Sequence, residues 1–140
     1  MPPTAAGGTP AVVIDTNRVL GLWLFDDPQV DALRDAIARG GARWLAQPAM
    51  REELARVLGY PAVLAQLARR QRTADVVLAA FDRWSHAVPA ADPAPVRCRD
   101  PDDQIFIDLA VAWRARLFSK DLAVLALARR LAPLGVTVER

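Results

Sequence analysis

Short apolar segments typical of buried β-strands alternate along this chain with longer segments of helical character. The first is the β-branched run Ala11–Ile14, and further candidates lie at 43–46, 116–118 and 136–138, with a weaker one at 96–99. Parallel strands need a crossover connection, so strands that alternate with helices predict a parallel sheet covered by helices on both faces. We therefore predict an α/β fold of three layers, α/β/α, with a short parallel sheet at its centre.

Residues that start or stop helices mark the segments between these strands. Asp26-Asp27-Pro28 interrupts the helical stretch 18–39, with Asp27 expected as an N-cap and Pro28 at the first helical position. A helix is also expected over 121–131, and residues 87–95 form the one clear loop.

Length and composition bound the class of protein. The chain has 140 residues, enough for one compact domain and too few for two ordinary ones. We assign residues 1–10 to a flexible leader, which lacks the basic start and apolar stretch of a signal peptide, and residues 11–140 to a single domain. No apolar run approaches the roughly 20 residues that span a bilayer.

Charge and metal-ligand types exclude further classes. The net charge of +2 excludes an electrostatic tail or a strongly basic nucleic-acid coat protein. A single cysteine, Cys98, cannot form an internal disulfide, and a single histidine, His86, leaves no zinc-binding pair. We expect a cytoplasmic protein with no membrane partner.

Four carboxylates follow the predicted strands at positions that a parallel sheet would gather. Asp15 follows the first strand, Glu53 lies in the helix after the second, Asp103 opens a later helix, and Asp121 follows the strand 116–118. Clustered carboxylates repel one another unless a cation balances them, and an all-oxygen ligand set favours Mg²⁺ or Mn²⁺. This pattern predicts metal-assisted cleavage of a phosphodiester. Taken singly, each acid is also explained as a helix cap or as a first-turn complement to the helix dipole.

Helical phase separates acids that face the core from acids that face solvent. Met50 and Leu54 lie on an apolar arc that Glu53 flanks, whereas Glu52 lies on the opposite side. Glu53 is therefore the candidate for the site. Asp108 falls outside the apolar stripe of its own helix and is expected at the surface.

The sequence VIDTN at 13–17 resembles the opening motif of PIN-domain nucleases. Matching segments follow in the family's order at 48–54, 100–110 and 117–121. The continuation is similar to a PIN subfamily of toxin components of toxin–antitoxin systems. The resemblance covers about residues 11–138.

This resemblance implies a metal-dependent endoribonuclease acting on RNA, with an antitoxin protein and a second copy of the chain as partners. It implies that Asn17 orients Asp15 and that Ser119 stands near the site. Lys120 departs from the pattern, because related members often carry Gly or Arg there. The residues implied to hold Mg²⁺ or Mn²⁺ are Asp15, Glu53, Asp103 and Asp121.

Two alternative functions stay open. A haloacid-dehalogenase-type phosphohydrolase also places an Asp after its first strand, but it needs a second Asp two residues later, where this chain has Asn17. A non-catalytic PIN-like module that binds RNA or protein would have no reason to keep four acids in this arrangement.

Arginines and tryptophans have structural interpretations that compete with functional ones. Five arginines are either solvated helix surface or contacts to an RNA backbone: Arg69, Arg70, Arg72, Arg129 and Arg130. Packing in the core or at a dimer interface is favoured over base stacking for the four tryptophans, which are Trp23, Trp44, Trp84 and Trp113.

Overall fold

The computed structural model describes residues 8–140, so most of the predicted leader lies outside the described residues. Within that range, five short strands form one fully parallel sheet with the order β3-β2-β1-β4-β5. The strands are Ala11–Ile14 (β1), Arg43–Ala46 (β2), Ser85–Ala87 (β3), Arg116–Phe118 (β4) and Thr137–Glu139 (β5). The chain runs outward from β1 to β2 and β3, then crosses to the other side of β1 for β4 and β5. The topological switch point therefore lies between β1 and β4.

Helices cover both faces of this sheet. One of them, α6, packs against β1 and β4, while α7 and α8 pack against β5, and α1, α3 and α5 pack against one another. This arrangement confirms the predicted three-layer α/β/α fold. No helix in the described part of the chain is both long and apolar enough to cross a membrane. The helices are Thr16–Trp23 (α1), Asp31–Ala38 (α2), Pro48–Val57 (α3), Pro61–Arg69 (α4), Ala74–Trp84 (α5), Gln104–Trp113 (α6), Leu122–Leu125 (α7) and Ala128–Leu131 (α8).

The centre of the sheet is buried on both faces, which explains why its strands are continuous apolar runs rather than alternating ones. Val12 and Val13 of β1 are fully buried, as is Leu117 of β4. Trp44 is in the core as predicted, and it stacks on Trp23 with 5.1 Å between ring centroids. The other two tryptophans, Trp84 and Trp113, are partly buried against the same core.

The predicted strand at 96–99 is wrong, and β3 lies at Ser85–Ala87 instead. Ser85 follows α5 directly and pairs with Trp44 of β2, although the Ser-His-Ala sequence carries no β-branched signal. The backbone of 96–99 does not join a strand because the side chain of Gln104 takes its hydrogen-bonding groups.

The ends of two helical segments also differ from expectation. Helix α1 begins at Thr16, before the predicted start at 18, because Asp15 caps it. The predicted helix over 121–131 is divided into α7 and α8. The break at Asp26-Asp27-Pro28 is confirmed, since Asp27 caps a short 3₁₀ turn with Pro28 at its first position.

A buried amide anchors the loop of residues 88–99, which leads from β3 to Asp100. Gln104 is 6% exposed, accepts from the N–H of Cys98 at 2.5 Å, and donates to the carbonyl of Val96 at 3.0 Å. It also donates to Asp108 at 2.8 Å, and Asp108 accepts from the N–H of Ala94 at 2.9 Å. The predicted surface position of Asp108 is therefore wrong, because this carboxylate is recruited to hold the loop.

Replacing Gln104 by Ala should destabilise the protein by about 2–4 kcal/mol, because the buried backbone groups of Val96 and Cys98 would lose their partners. The measurement is urea unfolding followed by circular dichroism. Gln29→Ala, at an exposed position, should cost less than about 0.5 kcal/mol. Equal stabilities of the two variants would show that Gln104 does not anchor the loop.

Candidate functional site

Asp15 lies at the carboxyl end of β1 and is 4% exposed. Its Oδ1 accepts from the backbone N–H of Arg18 at 2.9 Å, which caps α1, and its Oδ2 accepts from the hydroxyl of Ser119 at 2.5 Å. Burial raises the pKa of Asp15 above its ordinary value, although both hydrogen bonds act in the opposite direction. The helix-cap interpretation is thus correct, and it coexists with a position facing the cleft.

Ser119 connects the two strand ends at the switch point. It follows β4, is fully buried, and donates to Asp15 through the same oxygen that accepts from the N–H of Asp121 at 3.1 Å. Its own backbone N–H donates to the carbonyl of Glu139 at 2.8 Å. One small side chain therefore fixes the orientation of Asp15 and the backbone of Asp121 relative to each other.

Three carboxylates, which we call the aspartate trio, lie close together near the switch point between β1 and β4. Asp100, Asp103 and Asp121 each place one carboxylate oxygen within 4.8 Å of the others. Two of them are also helix caps: Asp121 accepts from the N–H of Ala123 at 2.8 Å, and Asp100 accepts from the N–H of Asp102 at 3.0 Å. Asp100 was not among the acids that the sequence predicted for the site.

Asp103 has the most perturbed environment of the trio. Its Oδ2 is buried and has no hydrogen-bond partner among the described residues. Burial, followed by the negative charge of Asp121, raises the pKa of Asp103 to about 7. A carboxyl group held in this way carries unfavourable charge at neutral pH unless a cation or a proton balances it.

Glu53 reaches the same cleft from α3 but lies outside the trio. It accepts a hydrogen bond from the hydroxyl of Thr16, so the first residue of α1 positions a side chain from a distant helix. Sequence reasoning did not identify this role of Thr16. Glu52 is exposed on the other side of α3, as helical phase indicated. Asn17 is exposed and also lines the cleft, whereas the hydrogen bonds that Asp15 accepts come from Arg18 and Ser119.

The cleft has a volume of about 240 Å³. Its lining combines acidic side chains with the apolar and aromatic side chains of Val57, Tyr60 and Phe106. None of the described residues that line it is basic. The polar lining residues are Asp15, Thr16, Asn17, Glu53, Asp100, Asp103 and Asp121, which include all four predicted metal-binding acids.

The arginines predicted as RNA contacts lie elsewhere, and two of them support the fold. Arg72 donates to the carbonyl oxygens of Trp23 at 3.0 Å and Leu24 at 3.1 Å, and it pairs with Asp26. Arg70 reaches the carbonyl of Phe25 and lies over its ring. These contacts satisfy carbonyls at and just beyond the end of α1. None of the predicted arginines lines the cleft, namely Arg69, Arg70, Arg72, Arg129 and Arg130.

Comparison with known protein families identifies a domain that covers most of the chain. Residues 11–118 match the family model described as PIN domain. The matched segment runs from β1 to the end of β4, contains Asp15, Glu53, Asp100 and Asp103, and stops directly before Ser119. No curated protein matches the chain at a significant level.

The raised pKa of Asp103 predicts how stability depends on pH in the presence of a chelator. In the unfolded chain this carboxyl releases its proton near its ordinary pKa of 3.8, whereas in the folded protein it keeps the proton until about pH 7. The folded state therefore binds more protons between these values, and stability falls as pH rises. Asp103→Asn should reduce this fall and melt about 2–5 °C above wild type at about pH 8.

The exposed neighbour Asp102 provides the control, because its side chain lies outside the trio. Asp102→Asn should melt like wild type at both ends of the range. Melting curves recorded with EDTA between about pH 5 and pH 8 test this. Parallel pH profiles for wild type and Asp103→Asn would contradict the assignment of the strained charge to Asp103.

Proposed function

This chain belongs to the PIN domain family, and from that premise we propose that it is a metal-dependent ribonuclease. PIN domains are generally nucleases, which hydrolyse phosphodiester bonds, and they generally use divalent metals. The observation that carries the proposal is the aspartate trio at the switch point, with Asp15 and Glu53 lining the same cleft.

The residues of the cleft fit a hard divalent cation. All the candidate ligands are oxygen atoms, which suit Mg²⁺ or Mn²⁺. Among the described residues the buried Oδ2 of Asp103 has no hydrogen-bond partner, and the pKa of Asp103 is raised. Both features are expected of a cation-binding carboxylate whose charge is not balanced. We propose that the trio, with Asp15, holds the ion.

The contacts of several side chains in and beside the cleft support a role for each of them in this reaction. A divalent ion bound to the carboxylates supplies charge that stabilises the scissile phosphate and acidifies a water molecule. Ser119 keeps Asp15 in one orientation despite the repulsion from neighbouring acids. Glu53 is outside the trio and is held by Thr16, so we assign it as the acceptor of the proton released by the attacking water.

The motif segments of this chain resemble those of toxin components of toxin–antitoxin systems. On that basis we propose that the chain is the toxin of a toxin–antitoxin pair in the cytoplasm. An antitoxin protein and a second copy of the chain would be its partners. Co-expression with the product of a neighbouring gene, followed by co-purification, tests the antitoxin. Size-exclusion chromatography with light scattering tests the dimer.

Metal binding by the trio predicts a selective gain in stability. Wild type should gain at most about 2.7 kcal/mol when the ion is present at 100 times its dissociation constant. Asp103→Asn and Asp121→Asn should gain much less because each lacks one ligand charge, although Asn can still cap α7. Asp102→Asn should respond like wild type. Thermal melting with EDTA and with Mg²⁺ or Mn²⁺ measures these shifts, and equal shifts in all four proteins would exclude a shared ion.

Cleavage itself is the direct test. Purified protein should cut RNA with Mg²⁺ or Mn²⁺ and should stop when EDTA is added. Asp15→Asn keeps size and capping ability but removes a charge, so activity should fall by at least about tenfold while the fold persists. Asp102→Asn should cut like wild type. Cleavage that survives chelation, or that is unchanged in Asp15→Asn, would refute the proposed function.

A further inference from the structure

Tyr60, the single tyrosine of the chain, lines the cleft and is well exposed. It is 49% exposed, whereas Phe106, which also lines the cleft, is 3% exposed and belongs to the core. Burying an aromatic ring is among the largest hydrophobic gains that a side chain offers. Folding alone uses only part of this gain at Tyr60, because about half of the residue remains exposed to solvent.

The backbone of Tyr60 is held firmly although its ring is exposed. Its N–H donates to the carbonyl of Val57 at 3.0 Å, and its carbonyl accepts from Leu64 at 2.8 Å. Its φ of −69° and ψ of 141° are extended, and the following Pro61 favours this conformation. The ring is thus attached to a fixed point, which lowers the entropy cost of using it in binding.

Helix formation does not explain a tyrosine here either. Tyr60 is the N-cap residue of α4, but its side chain makes no capping hydrogen bond. Ser, Thr, Asp and Asn are preferred at this position because their short side chains accept from the first helical N–H groups. Helix capping therefore does not explain why residue 60 is a tyrosine.

The two kinds of side chain that line the cleft suit the two parts of a nucleotide. The carboxylates and the cation that they would hold bind the phosphate. None of the described residues that line the cleft is a basic side chain that could attract the RNA backbone. Affinity for a polyanion then has to draw on the neutral part of the ligand. A nucleobase offers an uncharged π-face that stacks on aromatic side chains, but in a duplex both faces are already stacked.

We propose that Tyr60 is a stacking platform for an unpaired nucleobase beside the scissile phosphate. This inference rests on the proposed function and adds a base-contacting residue to its site. Tyr60 contributes affinity for the base, while the phosphate chemistry belongs to the acids that line the same cleft.

Leu64 distinguishes this role from a protein-docking surface. It lies one helical turn beyond Tyr60 on α4 and is 50% exposed, but it does not line the cleft. A protein partner that covered this face would bury both side chains. A base seated in the cleft would contact Tyr60 and leave Leu64 in solvent.

The test measures binding of a fluorescein-labelled RNA strand of about 10 nucleotides by anisotropy, with Ca²⁺ as the cation. Tyr60→Ser is the main variant, because serine restores a favourable N-cap and should preserve or raise the melting temperature. It should weaken binding by about 5- to 100-fold, which corresponds to the loss of one stacked base. Tyr60→Phe and Leu64→Ala should bind within about twofold of wild type, since neither removes the ring from the cleft.

In the second measurement, an abasic nucleotide replaces each position of the same strand in turn, and binding of each modified strand is measured. At one position, removing the base should weaken wild type as much as Tyr60→Ser does, and the two changes together should cost no more than either alone. A duplex of the same sequence should bind wild type and Tyr60→Ser equally.

The outcomes separate this inference from the proposed function. Wild type that cuts RNA while Tyr60→Ser binds the strand normally would refute stacking and leave the nuclease standing. Loss of binding in Tyr60→Ser without any cleavage by wild type would support stacking and refute the nuclease. An equal loss in Leu64→Ala, additive abasic effects, or no binding of the strand by wild type would each overturn the proposal.

Discussion

The hydrogen bond from Ser119 to Asp15 is the interaction on which the arrangement of this site depends. It is fully buried and joins residues at the ends of β1 and β4, which are neighbours in the sheet but far apart in sequence. The same hydroxyl oxygen accepts from the N–H of Asp121, so the strand ends and the start of α7 share one reference point. Without it, a buried carboxylate would be left to repel its neighbours with no fixed orientation.

The cleft concentrates negative charge that the metal-free fold does not neutralise. Burial raises the pKa values of Asp15 and Asp103 together, and the buried Oδ2 of Asp103 has no partner in the described chain. Such a cluster lowers stability, and proteins retain destabilising groups of this kind where function requires them. Because the strain arises from uncompensated charge, a divalent cation relieves it directly.

The side chains that cap helices are also among those we propose as metal ligands. Asp15, Asp100 and Asp121 each accept a backbone hydrogen bond at the start of a helix or turn and still face the cleft. The caps hold the carboxylates still, and the parallel sheet places the helix starts at one edge. Arginines take a separate role, because Arg70 and Arg72 secure the residues that end α1, away from the acids. Positive charge in these contacts therefore stabilises the fold and leaves the cleft acidic.

The sequence by itself determined the elements whose signals are local. The strands at 11–14, 43–46 and 116–118 follow from apolar runs, and the helix caps follow from short polar residues beside them. Position after a strand selected Asp15 and Asp121, while position within a following helix selected Glu53 and Asp103, and all four acids line one cleft. Only the tertiary structure decided the rest: β3 at Ser85–Ala87, the recruitment of Asp100, the contact of Thr16 with Glu53, and the anchoring of a loop by Asp108. Each of these depends on which distant group supplies a hydrogen-bond partner or a neighbouring charge, and no local pattern in the chain encodes that choice.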